Sequence, residues 1–359
     1  NTCPTQPTTD RVVDLAYAYD IVPENGWADQ LSVEALAEMA IDAAGRALDR
    51  DGTLDFDDMI WLPVAHRWAT PTYDLIVVDE AQDLNAVQLA LALALSKGRI
   101  VVVGDDKQSI YGFRGADSAA LDRLKTELSA LELPLTVTYR CPKLVVAEAQ
   151  PLCPDYIAAP SAPDGAVVTM AEDEAVKLLE PSDFVLSRIN APLAALCLRL
   201  YREGKPARIE GRDMSKSLVA LIRRQKTDTI PTLLERLHTW LDRETAKLRA
   251  TKRPSAQERI DNLYDQVETV DVLSEGLASV VELVARIEQL FGEQRGPAIV
   301  LSSIHRAKGL EAPRVFLLTG TLYCRGKRVT QEEHNIAYVG ITRAKEALIL
   351  VPKDGSLYA

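Results

Sequence analysis

Two short runs of apolar residues, Leu75–Val78 (LIVV) and Ile100–Val103 (IVVV), stand with one helix-length segment between them. Runs of this kind suit strands buried on both faces. The segment between them, Val87–Ser96, is read as a helix. Strand, helix and strand in that order build a parallel pair, because the crossover returns the chain to the starting end of the sheet. That one pattern commits the chain to an α/β architecture.

Further strands are expected at Leu135–Tyr139, Ala166–Met170, Phe184–Ser187, Ala207–Glu210, Ile299–Ser302, Val315–Leu318 and Ala347–Val351. A helical stretch is expected near 117–130. Residues 11–70 read as helical, with Ser32 as an N-cap and Leu36, Met39, Ala40, Ala43, Ala44 and Leu48 at helical spacing. Between Glu210 and Ile299 no strand pattern occurs. Instead Leu234, Leu237, Leu241 and Leu248 repeat at helical spacing until Pro254. Ile260, Leu263, Tyr264, Val267 and Val270 continue the stripe, and Val280, Val284, Ile287 and Leu290 form another. This is the pattern of a helical insertion inside an α/β domain.

The 359 residues allow roughly two domains of about 150 residues. With 47% apolar and 26% charged residues the composition is that of an ordinary globular protein, which excludes a disordered tail or a collagen-like repeat. Five cysteines, at 3, 141, 153, 197 and 324, form no CxxC pair, so free thiols in a reducing cytoplasm are expected. No apolar run is long enough to span a bilayer, and no membrane partner is expected. The formal net charge of −11 argues against a simple electrostatic nucleic-acid binder. The charge is uneven, however. Residues 1–90 carry 17 acidic and 4 basic side chains, whereas Lys216–Asp261 carries 11 basic and 6 acidic.

The loops that follow the first two strands carry the chemistry. LIVV runs into Asp79-Glu80-Ala81-Gln82-Asp83. Ligands of α/β sheets gather at the carboxyl ends of strands. There one carboxylate can hold Mg²⁺ through water while the next orients and deprotonates an attacking water. Taken alone, these residues suit equally well a charged strand-to-helix turn capped by Asp83. IVVV runs into Gly104-Asp105-Asp106-Lys107-Gln108-Ser109-Ile110-Tyr111-Gly112-Phe113-Arg114-Gly115. Gln108 can sense a phosphate or a water. Tyr111 and Phe113 can stack on unpaired bases, and Arg114 can contact backbone or base.

Together these segments resemble motifs II and III of superfamily 1 DNA helicases of the UvrD/Rep/PcrA type. Other segments follow in the family's order. Leu54–Ile60 (LDFDDMI) resembles the stretch before motif II, and Leu135–Pro142 (LTVTYRCP) resembles motif IV. Arg202–Ile222 is similar to the motif IVa region, Ser302–Glu311 (SSIHRAKGLE) to motif V and Glu332–Lys345 (EEHNIAYVGITRAK) to motif VI. The resemblance covers nearly the whole chain, and it implies RecA-like (P-loop NTPase) parallel-sheet domains with helical insertions.

Residue by residue, the resemblance implies Asp79 as Mg²⁺ ligand, Glu80 as catalytic base and Gln108 as the link between the γ-phosphate and the DNA site. Tyr139 matches the residue that stacks on adenine, and Arg140 and Arg343 match the two γ-phosphate arginines. Glu311 matches a ribose contact, and Gly309 falls in the same nucleotide-binding motif. Tyr111, Phe113, Arg114 and His305 match DNA contacts, with Phe113 where the family more often has Trp. The implied ligands are ATP with Mg²⁺, and single-stranded and duplex DNA. The implied activity is ATP-driven unwinding of DNA, with 3′→5′ polarity given by the family alone.

Two elements of the family are missing, its phosphate loop and motif Ia. No Gly-x-x-x-x-Gly-Lys-Thr phosphate loop occurs, and Gly320–Arg328 is one residue too long, ends in Arg, and lies between motifs V and VI. The expectation is a C-terminal portion of a longer helicase, or one half of a split enzyme whose loop comes from another chain. A non-catalytic module that binds single-stranded DNA or a partner is the competing reading. The expected domains are a helical 1B remnant at 1–70, a partial RecA-like 1A at 71–131, and a RecA-like 2A at 132–220 plus 291–359. A reduced helical 2B is expected at 221–290.

Overall fold

The computed structural model describes residues 9, 12, 35, 38–42, 56–110, 120–250, 256–292, 296–322 and 330–352. The chain divides into two compact units, Asn1–Leu133 and Pro134–Ala359.

The first unit is built on a parallel pair, β1 (Ile76–Val78) and β2 (Ile100–Val102), in the register Ile76↔Ile100 to Val78↔Val102. Helix α1 (Phe56–Ala65) precedes it, α2 (Ala86–Leu95) forms the crossover, and α3 (Ala120–Leu128) follows. Asn85 starts α2. Its side chain accepts from the Val87 and Gln88 amides while Gln88 accepts from the Asn85 amide. This reciprocal cap satisfies donors that the first turn leaves open. Ala81, Leu89 and Leu124 form the core, with Val78, Leu93, Val102 and Leu121 against it.

The expectation that these strands are buried on both faces does not hold. Val77 is 62% and Val101 47% exposed, while Val78 and Val102 face the core. Side chains of a strand alternate between faces, and the core among the described residues lies on one side only. Within 11–70, residues 38–42 are helical and Met39 is exposed. Ser32, Leu36, Ala43, Ala44 and Leu48 lie outside the described residues.

The second unit holds a six-stranded sheet in the order β5-β10-β9-β6-β8-β7. The strands are β5 (Ala166–Thr169), β6 (Phe184–Ser187), β7 (Ala207–Ile209), β8 (Ile299–Ser303), β9 (Ala312–Leu318) and β10 (Ala344–Val351). Every neighbouring pair is parallel. A small parallel pair, β3 (Val137–Thr138) with β4 (Ile157–Ala158), stands apart from it. The two-residue β4 is not foreseen by hydrophobic pattern, being too short to show one.

Helices α4 (Lys143–Ala149), α5 (Glu172–Leu178) and α6 (Ala191–Arg202) lie between the early strands. The long segment without strands folds as α7 (Arg212–Arg224), α8 (Ile230–Ala250), α9 (Ala256–Ser274) and α10 (Val280–Leu290). These helices form no separate lobe. Leu233, Leu237 and Leu241 of α8, Val267 and Leu273 of α9, and Ile287 of α10 share one core with Leu193 of α6 and strand residues Val185, Leu301 and Phe316. The leucine stripes face the sheet's own helices, so burial joins insertion and sheet. Asp265 of α9 ties them further. Its buried carboxylate accepts from the Asn190 amide, the Asn190 side chain and the Ala191 amide at the start of α6. Short α11 (Ile304–Ala307) and α12 (Gln331–Ile341) complete the unit.

Candidate nucleotide and nucleic-acid sites

In the first unit, the loops at the carboxyl ends of β1 and β2 are stitched together. The Val103 amide donates to Val78 O and the Ala81 amide to Val103 O. The chain then turns sharply at Glu80, with φ 50° and ψ 40°. A non-glycine residue in this left-handed region carries a conformational cost of about 1–2 kcal/mol, and such residues cluster at functional loops. The turn leaves Asp79 and Glu80 exposed. Asp79 Oδ1 accepts from the Glu80 amide at 2.9 Å. Gln82, only 2% exposed, donates from Nε2 to Glu80 Oε2 at 2.6 Å and accepts the Asp105 amide on Oε1 at 3.1 Å. Asp105 accepts in turn from the Lys107 amide and from Gln108 Nε2 at 2.8 Å. The acidic pair and Gln108, distant by sequence, thus belong to one hydrogen-bonded group.

Among the described residues no group of three or more His, Cys, Asp or Glu is placed to hold a metal ion. A single exposed carboxylate such as Asp79 fits Mg²⁺, which keeps most of its waters and takes further oxygens from substrate phosphates.

In the second unit the expected nucleotide residues gather at the amino ends of two strands of the six-stranded sheet. Arg140 follows β3, Glu311 precedes β9 and Arg343 precedes β10, where Ala312 pairs with Ala344. Glu311 is gripped from two sides, by Arg140 Nε at 2.7 Å and Lys345 Nζ at 2.9 Å. The Lys345 hydrogen bond, with Arg140's charge adding to it, holds the Glu311 carboxyl below its ordinary value. Tyr139 is 86% exposed, its ring free to stack.

Arg343 differs from expectation. It is 1% exposed, and it donates to Val339 O at 2.9 Å, Leu310 O at 3.4 Å and Thr342 Oγ1 at 3.1 Å. Burial pulls its pKa below the usual arginine range. Of the two expected phosphate arginines, Arg140 alone faces solvent. Cys141 and Tyr156 brace this corner. The Cys141 thiol donates to Thr342 O at 3.5 Å, and the Tyr156 hydroxyl donates to Cys141 Sγ at 3.4 Å. Burial raises both the thiol and the phenol.

At the carboxyl ends of the same sheet stand His305, half-buried on α11, and Arg306, whose guanidinium packs on Gly211 at the start of α7. A Cβ at Gly211 would lie 3.3 Å from the guanidinium carbon, and φ there is 147°, a backbone conformation that L side chains rarely adopt. Gly309 sits at φ 80° between α11 and β9. Tyr111, Phe113 and Arg114 lie outside the described residues, as does most of Gly320–Arg328.

Comparison with known proteins places the chain among helicases. Residues 23–129 match the UvrD/REP helicase N-terminal domain, and residues 199–353 match the UvrD-like helicase C-terminal domain. The two matches together take in most of the chain. The chain belongs to the UvrD/Rep helicase family. It is 30% identical over 202 residues to DNA helicase II of Escherichia coli, covering 49% of this chain and 27% of that protein. It is 28% identical over 364 residues to the ATP-dependent DNA helicase UvrD2 of Mycobacterium bovis, covering 83% of this chain and 51% of the relative. It is 27% identical over 335 residues to F-box DNA helicase protein 1 of Schizosaccharomyces pombe, covering 83% and 36%. The chain thus spans about a quarter to a half of the length of these three relatives. Its parallel-sheet architecture is the RecA-like fold of UvrD helicases.

Sequence reasoning missed Gln82, Asp105, Lys345 and Arg306. All four lie inside the UvrD-like motifs, but nothing in their type or spacing assigns a partner. The Arg140–Glu311–Lys345 cluster also has a pH signature. Because the Glu311 pKa is lowered in the folded chain, the stability it contributes is complete above the ordinary value of 4.5 and is lost as pH falls through the folded value. Thermal unfolding of Glu311→Gln is therefore expected to lose less between neutral pH and about pH 3 than the parent does. Equal losses would show that the cluster carries no such linkage.

Proposed function

We propose that these residues form part of an ATP-driven motor that moves along single-stranded DNA and unwinds duplex. The observation that carries this reading is the hydrogen-bonded group joining Asp79 and Glu80 to Gln108. An acidic pair that can hold Mg²⁺ and activate water is thereby linked to the turn that leads into Tyr111, Phe113 and Arg114. Asp79 is the metal ligand and Glu80 the base that takes the proton of the attacking water. Magnesium, when bound with ATP, neutralises charge on the phosphates. Tyr139 stacks on the adenine, Glu311 and Gly309 receive the ribose side, and Arg140 stabilises charge on the transferred phosphoryl group. Arg343 reaches phosphate only if its bonds to Val339, Leu310 and Thr342 are exchanged. Tyr111, Phe113, Arg114 and His305 contact the DNA track.

The 359 residues contain no phosphate loop. Tight Mg-ATP binding therefore needs a loop from outside them, on the same polypeptide or on another chain. The domain limits 1–70, 71–131, 132–220 with 291–359, and 221–290 belong to the same reading, with the qualification that 221–290 is packed into the second unit's core. Among the described residues no helix is long and apolar enough to cross a membrane. A cytoplasmic DNA-repair or replication role accords with the reading. The test is unwinding of duplexes with 3′ or 5′ tails by a protein carrying these residues and a phosphate loop. Unwinding of the 3′-tailed duplex that requires ATP and Glu80 is expected, and binding without turnover contradicts the proposal.

A further inference from the structure

We propose that Gln82 is a positioning residue that fixes the Glu80 carboxylate and makes its orientation depend on the Gly104–Gln108 turn. This rests on the reading of Glu80 as the water-activating base. Three observations carry it. Gln82 is almost fully buried, yet both ends of its amide are used. Oε1 accepts the Asp105 amide at 3.1 Å, which leaves Nε2 facing Glu80 Oε2 at 2.6 Å. Only a side chain that accepts at one end and donates at the other can bridge a backbone N–H and a carboxylate in this way. Finally, a Cβ at Gly104 would lie 2.7 Å from Gln82 Oε1, so the second loop has no side chain where Gln82 enters it.

The consequence is mechanical. The Asp105 carboxylate holds Gln108, and the Asp105 amide holds Gln82. Movement of Gln108 toward a phosphate pulls on Asp105, and Gln82 passes that displacement to Glu80. Glu80 hangs on a left-handed turn with its side chain exposed, and the Gln82 amide is a hydrogen-bond donor that selects its rotamer. Its catalytic geometry then depends on the state of the neighbouring loop.

Two measurements on the 359-residue chain test the link without ATP turnover. In Gln82→Leu, which keeps the volume and removes both bonds, exchange of the Asp105 amide hydrogen is expected to accelerate about tenfold. In Glu80→Ala, an exposed change that leaves the core intact, the side-chain amide resonance of Gln82 is expected to move and exchange faster. The third measurement is hydrolysis by a protein carrying these residues and a phosphate loop. Gln82→Glu keeps an acceptor for Asp105 but sets a second carboxylate against Glu80. We expect kcat to fall about tenfold or more, with KM for ATP within about twofold. Gly104→Ala, which touches neither side chain's chemistry, is expected to lower kcat in the same way. An Asp105 amide unchanged by Gln82→Leu, a Gln82 resonance unmoved by Glu80→Ala, or a parental kcat in Gln82→Glu overturns the proposal. Absence of hydrolysis in the parent protein overturns the functional reading instead, and the two exchange measurements still decide the link.

Discussion

Replacing Glu80 by Gln is expected to lower ATP hydrolysis about a thousandfold in a protein that carries these residues together with a phosphate loop. The substitution keeps the shape of the side chain and an oxygen for the Gln82 amide to donate to. It leaves the turn at φ 50° as it is. What it removes is the basic oxygen proposed to take a proton from water. If Glu80 acts as the base, nucleotide affinity should stay within a few-fold, so the loss falls on kcat. Asp79→Asn should behave differently, raising the magnesium concentration needed for half-maximal rate. Steady-state hydrolysis and binding of a fluorescent nucleotide separate the two. Equal losses of binding and rate in Glu80→Gln would assign Glu80 to ligand binding rather than to proton transfer.

The second large effect is structural. Asp265→Ala should destabilise the second unit by about 3 kcal/mol. It strips partners from the Asn190 amide and side chain and from the Ala191 amide, and a buried donor left unpaired costs about 1–3 kcal/mol. For a unit of this size each kcal/mol lowers the midpoint by about 2–4 °C, so a fall of about 6–12 °C is expected. The variant also tests whether α7–α10 belong to the sheet's folding unit. With Leu237 and Leu193 in one core, Leu237→Ala on the insertion and Leu193→Ala on α6 should shift the same single transition. Two transitions, with only one moved by Leu237→Ala, would mean that the insertion unfolds on its own.

Much of this fold was legible because its strands are short runs of branched residues. LIVV, IVVV and FVLS announce themselves, and their observed limits differ from the expected ones by a residue or so. β4 left no such signal, since two residues carry no period. Helical stripes located α8–α10 but could not say what they pack against. A leucine stripe is the same whether it faces its own lobe or a neighbouring helix, and only the Asp265 tie and the shared core decide. The motifs implied a chemistry for the site but not its geometry. An arginine in motif VI reads as a phosphate contact. Arg343 instead sits inside, bound to carbonyls whose positions depend on how α12 meets β10. The rule that ligands sit at the carboxyl ends of strands singled out Asp79 and Glu80, which do follow β1. It did not foresee that Arg140, Glu311 and Lys345 assemble at the amino ends of β9 and β10, because a salt-bridge cluster depends on register rather than on any one strand's sequence.

In the proposed reading these residues hold the water-activating and phosphate-sensing parts of a DNA-dependent ATPase and lack the part that grips phosphate. The direct test is DNA-stimulated ATP hydrolysis by the 359 residues alone, and by the same residues joined to a phosphate-loop segment of a UvrD/Rep relative. Background turnover is expected from the 359 residues alone, and DNA-stimulated turnover abolished by Glu80→Gln from the joined protein. Robust hydrolysis by the 359 residues alone, or hydrolysis in the joined protein indifferent to Glu80, would contradict that reading.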